Sequence, residues 1–129
     1  MRPELLAPAG SPEALRAAVQ NGADAVYLGW GAFNARRGAK NFSDQEFADA
    51  LIYCHERGVR VFLTLNTLVT DRELPQALET AAAASRLGVD AVLVQDWGLF
   101  DLLRRTLPDL PLHGSTQMSI FTSGGAREI

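Results

Sequence analysis

The pattern of apolar and polar positions contains one phrase that occurs three times. A glycine is followed within three residues by an apolar or β-branched run at 22–28, 58–64 and 88–94. Glycine commonly ends a helix because it adopts the left-handed conformation without steric cost, and the run after it suits a buried strand. Each phrase therefore predicts the place where a helix ends and a strand begins.

The segments that precede these glycines carry start signals for helices. Ser11 offers an N-cap hydroxyl in front of Pro12, and residues 43–46 form a capping box. Residues 70–73 repeat that signature, but Pro75 indicates that the third helix starts a few residues later or bends there. The four predicted helices span about 11–22, 43–58, 70–88 and 97–106.

Apolar strands alternate with these helices, which predicts right-handed βαβ units around a parallel sheet. A doubly wound open sheet and a (β/α)8 barrel both share this pattern. The near-identical phrases favour the barrel, because all of its strands have equivalent surroundings. The predicted strands lie at about 4–7, 25–29, 60–65, 91–94 and 110–114.

The length sets how much of a barrel the chain can form. A complete TIM-type barrel has eight strands and about 250 residues, whereas this chain has 129 residues. We therefore expect a single α/β domain over 1–129, the N-terminal portion of a parallel barrel-like fold with about five βα units. Such an incomplete barrel exposes an edge strand, so we expect self-association through the open edge.

Composition narrows the class of protein. With 47% hydrophobic and 21% charged residues, a net charge of −3 and a single cysteine, the chain does not fit a disordered or a disulfide-stabilised protein. No apolar stretch reaches the roughly 18 residues of a membrane span, so we expect a cytoplasmic protein with no membrane contact. The acidic balance excludes a broad basic face but leaves room for a small basic site.

The loops that follow the strands of a parallel α/β fold meet at one face, where ligands bind. The loop at 29–42 is the longest. Three of the twelve cationic residues of the chain lie in five consecutive positions of this loop, which also contains aromatic and asparagine side chains. It is either a solvated surface loop or a binding loop for RNA or an anionic ligand. In the second case Asn34, Arg36 and Lys40 contact the substrate.

The other strand ends supply amides, hydroxyls, an imidazole and one carboxylate. These groups can orient a small polar substrate, but they contain no evident nucleophile and base pair and no metal cluster. Asp96 is alternatively the N-cap of the fourth helix, and Cys54 and His55 are expected to be a core thiol and a surface residue. The candidate binding residues at these strand ends are Asn66, Gln95, Asp96, His113, Ser115 and Gln117.

Six phrases that follow one another along the chain resemble the start of peptidase family U32, the collagenase-like proteases. The tail at 119–129, with adjacent glycines at 124 and 125, departs from the family pattern and is too short for another helix and strand. The six phrases are Glu4–Gly10, Gly22–Gly29, Phe33–Arg36, Leu63–Thr67, Val92–Asp96 and Leu112–Gln117.

The resemblance implies a barrel-like N-terminal domain and a choice of activities. Family members are commonly named peptidases, and others act in hydroxylation of transfer or ribosomal RNA, the latter linked to a prephenate-derived route. In several of them four cysteines further along the chain hold an iron–sulfur cluster. Because Cys54 is the only cysteine here, we expect that region to be absent, with no cofactor in this chain and a cluster only in full-length relatives.

Three functions stay open at this point. The chain is the substrate-side part of an RNA hydroxylation protein, a collagenase-like peptidase, or a truncated and catalytically inactive product. A hydrolase normally needs a Ser-His-Asp, Cys-His or metal site, and none can be drawn from these residues. The catalytic residues, and whether the chain acts as an enzyme, are therefore left unassigned.

Overall fold

A computed structural model describes residues 2–31 and 41–129 of the chain. Within them, five parallel strands form one sheet in the order β1-β2-β3-β4-β5, which confirms the predicted α/β class. The strands are β1 (Leu6–Pro8), β2 (Ala25–Leu28), β3 (Arg60–Leu65), β4 (Ala91–Val94) and β5 (Leu112–Gly114). The helices are α1 (Pro12–Gln20), α2 (Asp44–Glu56), α3 (Leu74–Leu87), α4 (Trp97–Thr106) and α5 (Ser123–Arg127), with a 3-10 helix at Thr116–Met118.

The helices begin at the predicted caps. The Ser11 hydroxyl accepts a hydrogen bond from the third residue beyond it, and Ser43 and Glu46 form a reciprocal capping box. The third helix starts at Leu74, with Pro75 in its first turn, so the later of the two predicted starts is correct. None of the described helices is both long enough and apolar enough to cross a bilayer.

The three repeated glycines take the predicted left-handed conformation. Gly22, Gly58 and Gly88 have φ angles of 95°, 71° and 100°. A β-carbon is disfavoured at such angles, so these positions end the helices and turn the chain into β2, β3 and β4.

The tail after β5 adds two short helical segments to the predicted elements. It forms the 3-10 helix and then α5, whose N-cap Thr122 accepts a hydrogen bond from the N–H of Gly125 at 3.0 Å. A β-carbon on Gly114 would lie 2.8 Å from Ile129, so the absence of a side chain there lets the tail pack against β5. The tail holds no further helix and strand pair, as its length predicts, but capping and packing give it one short helix despite the low helix propensity of its glycines.

The helices cover only one face of the sheet. Alternate strand residues, such as Val61 and Leu63, point into a core shared with Phe47 of α2 and Leu99 of α4. Residues of the opposite parity form a second, smaller cluster that no described helix covers. We call this side the helix-free face; its members include Ala25, Tyr27, Phe62, Ala91 and Leu93.

The amino ends of the strands are tied together by aspartates of the repeated phrase. Asp24 accepts a hydrogen bond from the Leu5 N–H at 2.8 Å, and Asp90 accepts one from the Val61 N–H at 2.7 Å. Each carboxylate thus satisfies a backbone amide at the start of the preceding strand: Leu5 lies just before β1, and Val61 is the second residue of β3. At the corresponding position of the middle phrase, Arg60 instead pairs with Glu4.

We expect Asp24→Asn to weaken the fold at neutral pH and to remove part of its acid sensitivity. The Leu5 N–H, aided by Arg2, holds the pKa of the Asp24 carboxyl below its ordinary value. The lowered pKa adds stability that is complete above the pKa of the unfolded chain and is lost as pH falls through the folded-state pKa.

Urea midpoints measured across pH test this expectation. The midpoint of Asp24→Asn should lie below that of the parent chain at pH 7 and converge with it in acid. Asp109→Asn, in the exposed turn before β5, is the matched control. A difference between Asp24→Asn and the parent that does not change with pH would contradict the assignment.

The open sheet predicts self-association. In the described residues β1 and β5 are the two edges, and Leu5 and Leu6 at the β1 edge are 51% and 44% exposed. Unpaired strand edges beside apolar side chains recruit further strands. Sedimentation should show mass rising with concentration, and Leu6→Lys should reduce the rise. A parent chain that stays monomeric at every concentration would overturn this expectation.

Candidate functional site

The strand register brings three predicted residues to one edge of the sheet. Leu65 of β3 pairs with Val94 of β4, which pairs with Gly114 of β5. The residues that come next in the chain are therefore level with one another. They are Asn66, Gln95 and Ser115. We call this side, where the strands end, the carboxyl edge.

Asn66 and Gln95 lie on the helix-free face, next to a row of three paired strand residues that includes the polar side chains of Thr64 and His113. Thr64, Leu93 and His113 are paired across β3, β4 and β5, and alternation assigns the row containing Asn66 and Gln95 to the same face. The edge of this face therefore carries amides, a hydroxyl and an imidazole. These groups can form hydrogen bonds with a polar ligand.

Aromatic and hydroxyl groups on this face were missed from the sequence. The Thr64 hydroxyl is buried and donates to the Leu28 carbonyl at 3.1 Å. The Phe62 ring meets the His113 ring edge-on, with 5.1 Å between centroids. The alternation of residues along β3 is the sequence signal that could have assigned Phe62 and Thr64 to the same face as Asn66.

The segment after β5 folds back onto Gln95. The Gln95 side-chain amide donates to the Gln117 carbonyl at 3.4 Å. The Ser115 hydroxyl is taken up as the N-cap of the 3-10 helix, where it accepts from the Gln117 N–H at 3.3 Å. Ser115 is buried, so the structure gives it a local capping role, whereas the Gln117 side chain is exposed at the edge.

Asp96 joins two loops of the carboxyl edge. One carboxylate oxygen accepts from the Leu99 N–H at 2.9 Å, which confirms the alternative that Asp96 caps α4. The other oxygen accepts from the Val69 N–H, at 3.3 Å, in the loop between β3 and α3. Both oxygens therefore serve the protein itself, and a contact between Asp96 and substrate stays a prediction.

Three predicted contact residues, Asn34, Arg36 and Lys40, lie outside the described residues. The chain on either side of them is anchored on α2. The Trp30 ring stacks on Phe47 with 4.5 Å between centroids, and its Nε1 donates to Asp44 at 2.8 Å. Trp30 and Phe42 also form a parallel bridge. The two flanks of the cationic segment are thus held beside the carboxyl edge of β2.

The described residues hold no group of three or more histidine, cysteine and acidic side chains that could bind a metal. Cys54 is a buried core thiol, as predicted, and burial raises its pKa to about 11, so the thiol stays neutral. His55 is partly exposed and hydrogen-bonds Asp90 at 2.8 Å. In the described geometry the hydroxyl of Ser115 caps a helix and the ring of His113 contacts Phe62, an arrangement without a nucleophile and base pair.

A family model described as Peptidase family U32 matches residues 10–129. The match includes the tail at 119–129. The prediction that the tail departs from the family pattern was therefore wrong, in agreement with the packing of α5 against the rest of the fold.

Several curated relatives carry RNA-related names, including the following two. The chain is 41% identical over 121 residues to the 23S rRNA 5-hydroxycytidine C2501 synthase of Escherichia coli K12, covering 94% of this chain and 18% of the relative. It is 33% identical over 119 residues to the tRNA hydroxylation protein P1 of Bacillus subtilis 168, covering 92% of this chain and 28% of the relative. The chain thus spans less than a third of either relative.

The fold matches that of the solved U32 peptidase Mk0906, with a TM-score of 0.72 and 22% sequence identity. The match covers 97% of this chain and 53% of that protein. The β/α arrangement of this chain is therefore a fold already seen in the solved structure, and the predicted barrel-like fragment agrees with it.

Asp96→Ala is expected to cost about 1 kcal/mol of unfolding free energy and to release two backbone amides. Hydrogen exchange should speed up at both Val69 and Leu99, whereas Asp96→Asn, with a single oxygen, should keep only one of them protected. Asp101→Ala removes a surface carboxylate paired with Arg105 and should change the unfolding free energy by less than about 0.5 kcal/mol. Unchanged exchange at Val69 in Asp96→Ala would refute the link between the loops.

Proposed function

Because the chain belongs to peptidase family U32, we propose that it forms the substrate-binding side of an RNA hydroxylation protein. The names of the two relatives support RNA as the substrate class. The observation that carries the proposal is the row of neutral amides at the carboxyl edge, where Asn66 and Gln95 stand level on adjacent strands.

Neutral amides suit the recognition of a base better than that of a phosphate. An asparagine or glutamine side chain has one carbonyl acceptor and two N–H donors, the groups that pair with the edge of an unpaired base. Because one Gln95 N–H already donates to the Gln117 carbonyl, the Gln95 carbonyl oxygen and its second N–H are the groups that would bind the base. The His113 imidazole adds a further donor or acceptor on the same face. Phosphate contacts would come from Arg36 and Lys40, as the cationic composition of their segment predicts.

The chain does not fit an iron–sulfur cluster by itself. Such clusters need about four thiolate ligands, whereas the sequence contains one cysteine, Cys54, which is fully buried in the helix core. We therefore propose that these residues bind and orient substrate. Any cluster would have to be held by ligands outside these 129 residues.

A peptidase function draws support from names, which are those of the family, of the solved structure and of relatives such as the collagenase of Porphyromonas gingivalis. Peptide hydrolysis needs an activated nucleophile or a metal-bound water. The described residues offer neither, whereas the hydrogen-bonding groups at the carboxyl edge suit the binding of a polar ligand. RNA binding is therefore the function that the geometry favours.

Binding of a fluorescein-labelled single-stranded RNA, followed by anisotropy, tests the proposal. Asn66→Ala and Gln95→Ala should each weaken binding about 2- to 12-fold, which is the loss expected for one hydrogen bond. Asn21→Ala, at the opposite end of the sheet beside α1, is the matched control and should bind like the parent. Circular dichroism melts would establish that each variant is folded.

Two outcomes would count against this function. A folded parent chain that binds no RNA at low salt, where phosphate contacts are strongest, would refute it. Equal affinity of the parent, Asn66→Ala and Gln95→Ala would leave RNA binding intact but remove the amide row from the site.

A further inference from the structure

Three large apolar side chains are exposed in neighbouring loops at the carboxyl edge. Leu68, Trp97 and Phe121 follow β3, β4 and β5, and they are 68%, 45% and 91% exposed. Other large apolar side chains are exposed elsewhere in the described chain, but those are aliphatic. Among the described residues, the exposed tryptophan and phenylalanine rings therefore lie at the start of α4, directly after β4, and in the segment after β5.

Hydrogen bonds fix the three loops to one another. Asp96, which precedes Trp97, accepts from the N–H of Val69, which follows Leu68. Gln95 donates to the Gln117 carbonyl and so holds the segment that leads to Phe121. The aromatic rings thus belong to loops whose backbones are tied to the amide row. Their position is set by the fold.

We call Leu68, Trp97 and Phe121 the exposed patch. Its size and charge decide what it binds. Exposed side chains of these types offer on the order of 400 Å² together, whereas a standard protein interface needs about 800 Å² from each partner. The loops at 66–73, 95–97 and 115–122 contain one cation, Arg72, against three carboxylates. The excess of carboxylates disfavours phosphate at these loops, so their contribution would be stacking on a base, which depends on an aromatic face.

We propose that Trp97 and Phe121 stack on unpaired nucleobases that flank the base presented to Asn66 and Gln95. The inference rests on the proposed function and names its substrate class, a single-stranded or unstacked RNA segment. Bases within a duplex are covered on both faces by their neighbours, so an aromatic side chain cannot stack on them unless the helix opens.

Tryptophan fluorescence reports directly on this contact, because the chain has two tryptophans. Trp30 is stacked on Phe47, whereas Trp97 is exposed. The probe is a single-stranded RNA of about 12 nucleotides, compared with the same strand annealed to its complement. Single-stranded RNA should quench the parent protein, and Trp97→Phe, which retains Trp30, should lose most of that quenching.

Affinities of matched variants separate stacking from general apolar contact. Trp97→Ala and Phe121→Ala should each bind single-stranded RNA about 5- to 150-fold more weakly, the loss expected for one stacked base. Leu68→Ala removes an exposed apolar side chain from the same patch without removing a ring and should stay within about twofold of the parent. The Phe121→Ala variant is expected to fold like the parent, because the Phe121 side chain is almost fully exposed.

Each outcome decides between the two proposals. RNA binding with unchanged affinity in Trp97→Ala and Phe121→Ala, or equal affinity for duplex, would overturn stacking while leaving the proposed function standing. No RNA binding by the parent would overturn both. A loss in Leu68→Ala equal to that in Phe121→Ala, or dimers that dissociate in Phe121→Ala, would show instead that the patch contacts protein.

Discussion

The level register of the parallel strands is the constraint on which the rest of this structure depends. A parallel ladder fixes both where each strand ends and which residues share a face. At the amino ends, Asp24 and Asp90 accept hydrogen bonds from backbone amides where the preceding strands begin, which helps the ladder to start in register. At the other end the same register makes Asn66 and Gln95 neighbours, although 29 residues separate them in sequence.

Much of the fold was predictable because its signals are local. A glycine such as Gly58 ends a helix through its own backbone conformation, and the capping box at 43–46 closes within four residues. The limits of β3 and β4 follow from continuous apolar runs. The bounds of β1 and β5 were less accurate, because an edge strand is delimited by pairing on one side only, and prolines such as Pro111 lack an N–H for the ladder.

The candidate site was predicted in part for the same reason. The loops after parallel strands meet at one edge of the sheet, so the sequence alone predicted that Asn66, Gln95 and His113 lie near one another. The roles of Ser115 and Asp96 depend on partners that the sequence cannot specify, since a hydroxyl or carboxylate can cap a helix or face a ligand equally well. The structure of the tail was not predicted because it depends on contacts with Gly114 and with α4, which are tertiary contacts.

The carboxylate of Asp96 links two segments of the carboxyl edge, because each of its oxygens accepts a hydrogen bond from a different segment. Its oxygens hold the start of α4 and the loop before α3 at once, so neither segment can shift without straining the other. Displacement of one loop on ligand contact would be transmitted through a single side chain to the neighbouring βα unit. Loss of binding after substitution of Asp96 would consequently report the loosening of both loops as well as the predicted contact with the ligand.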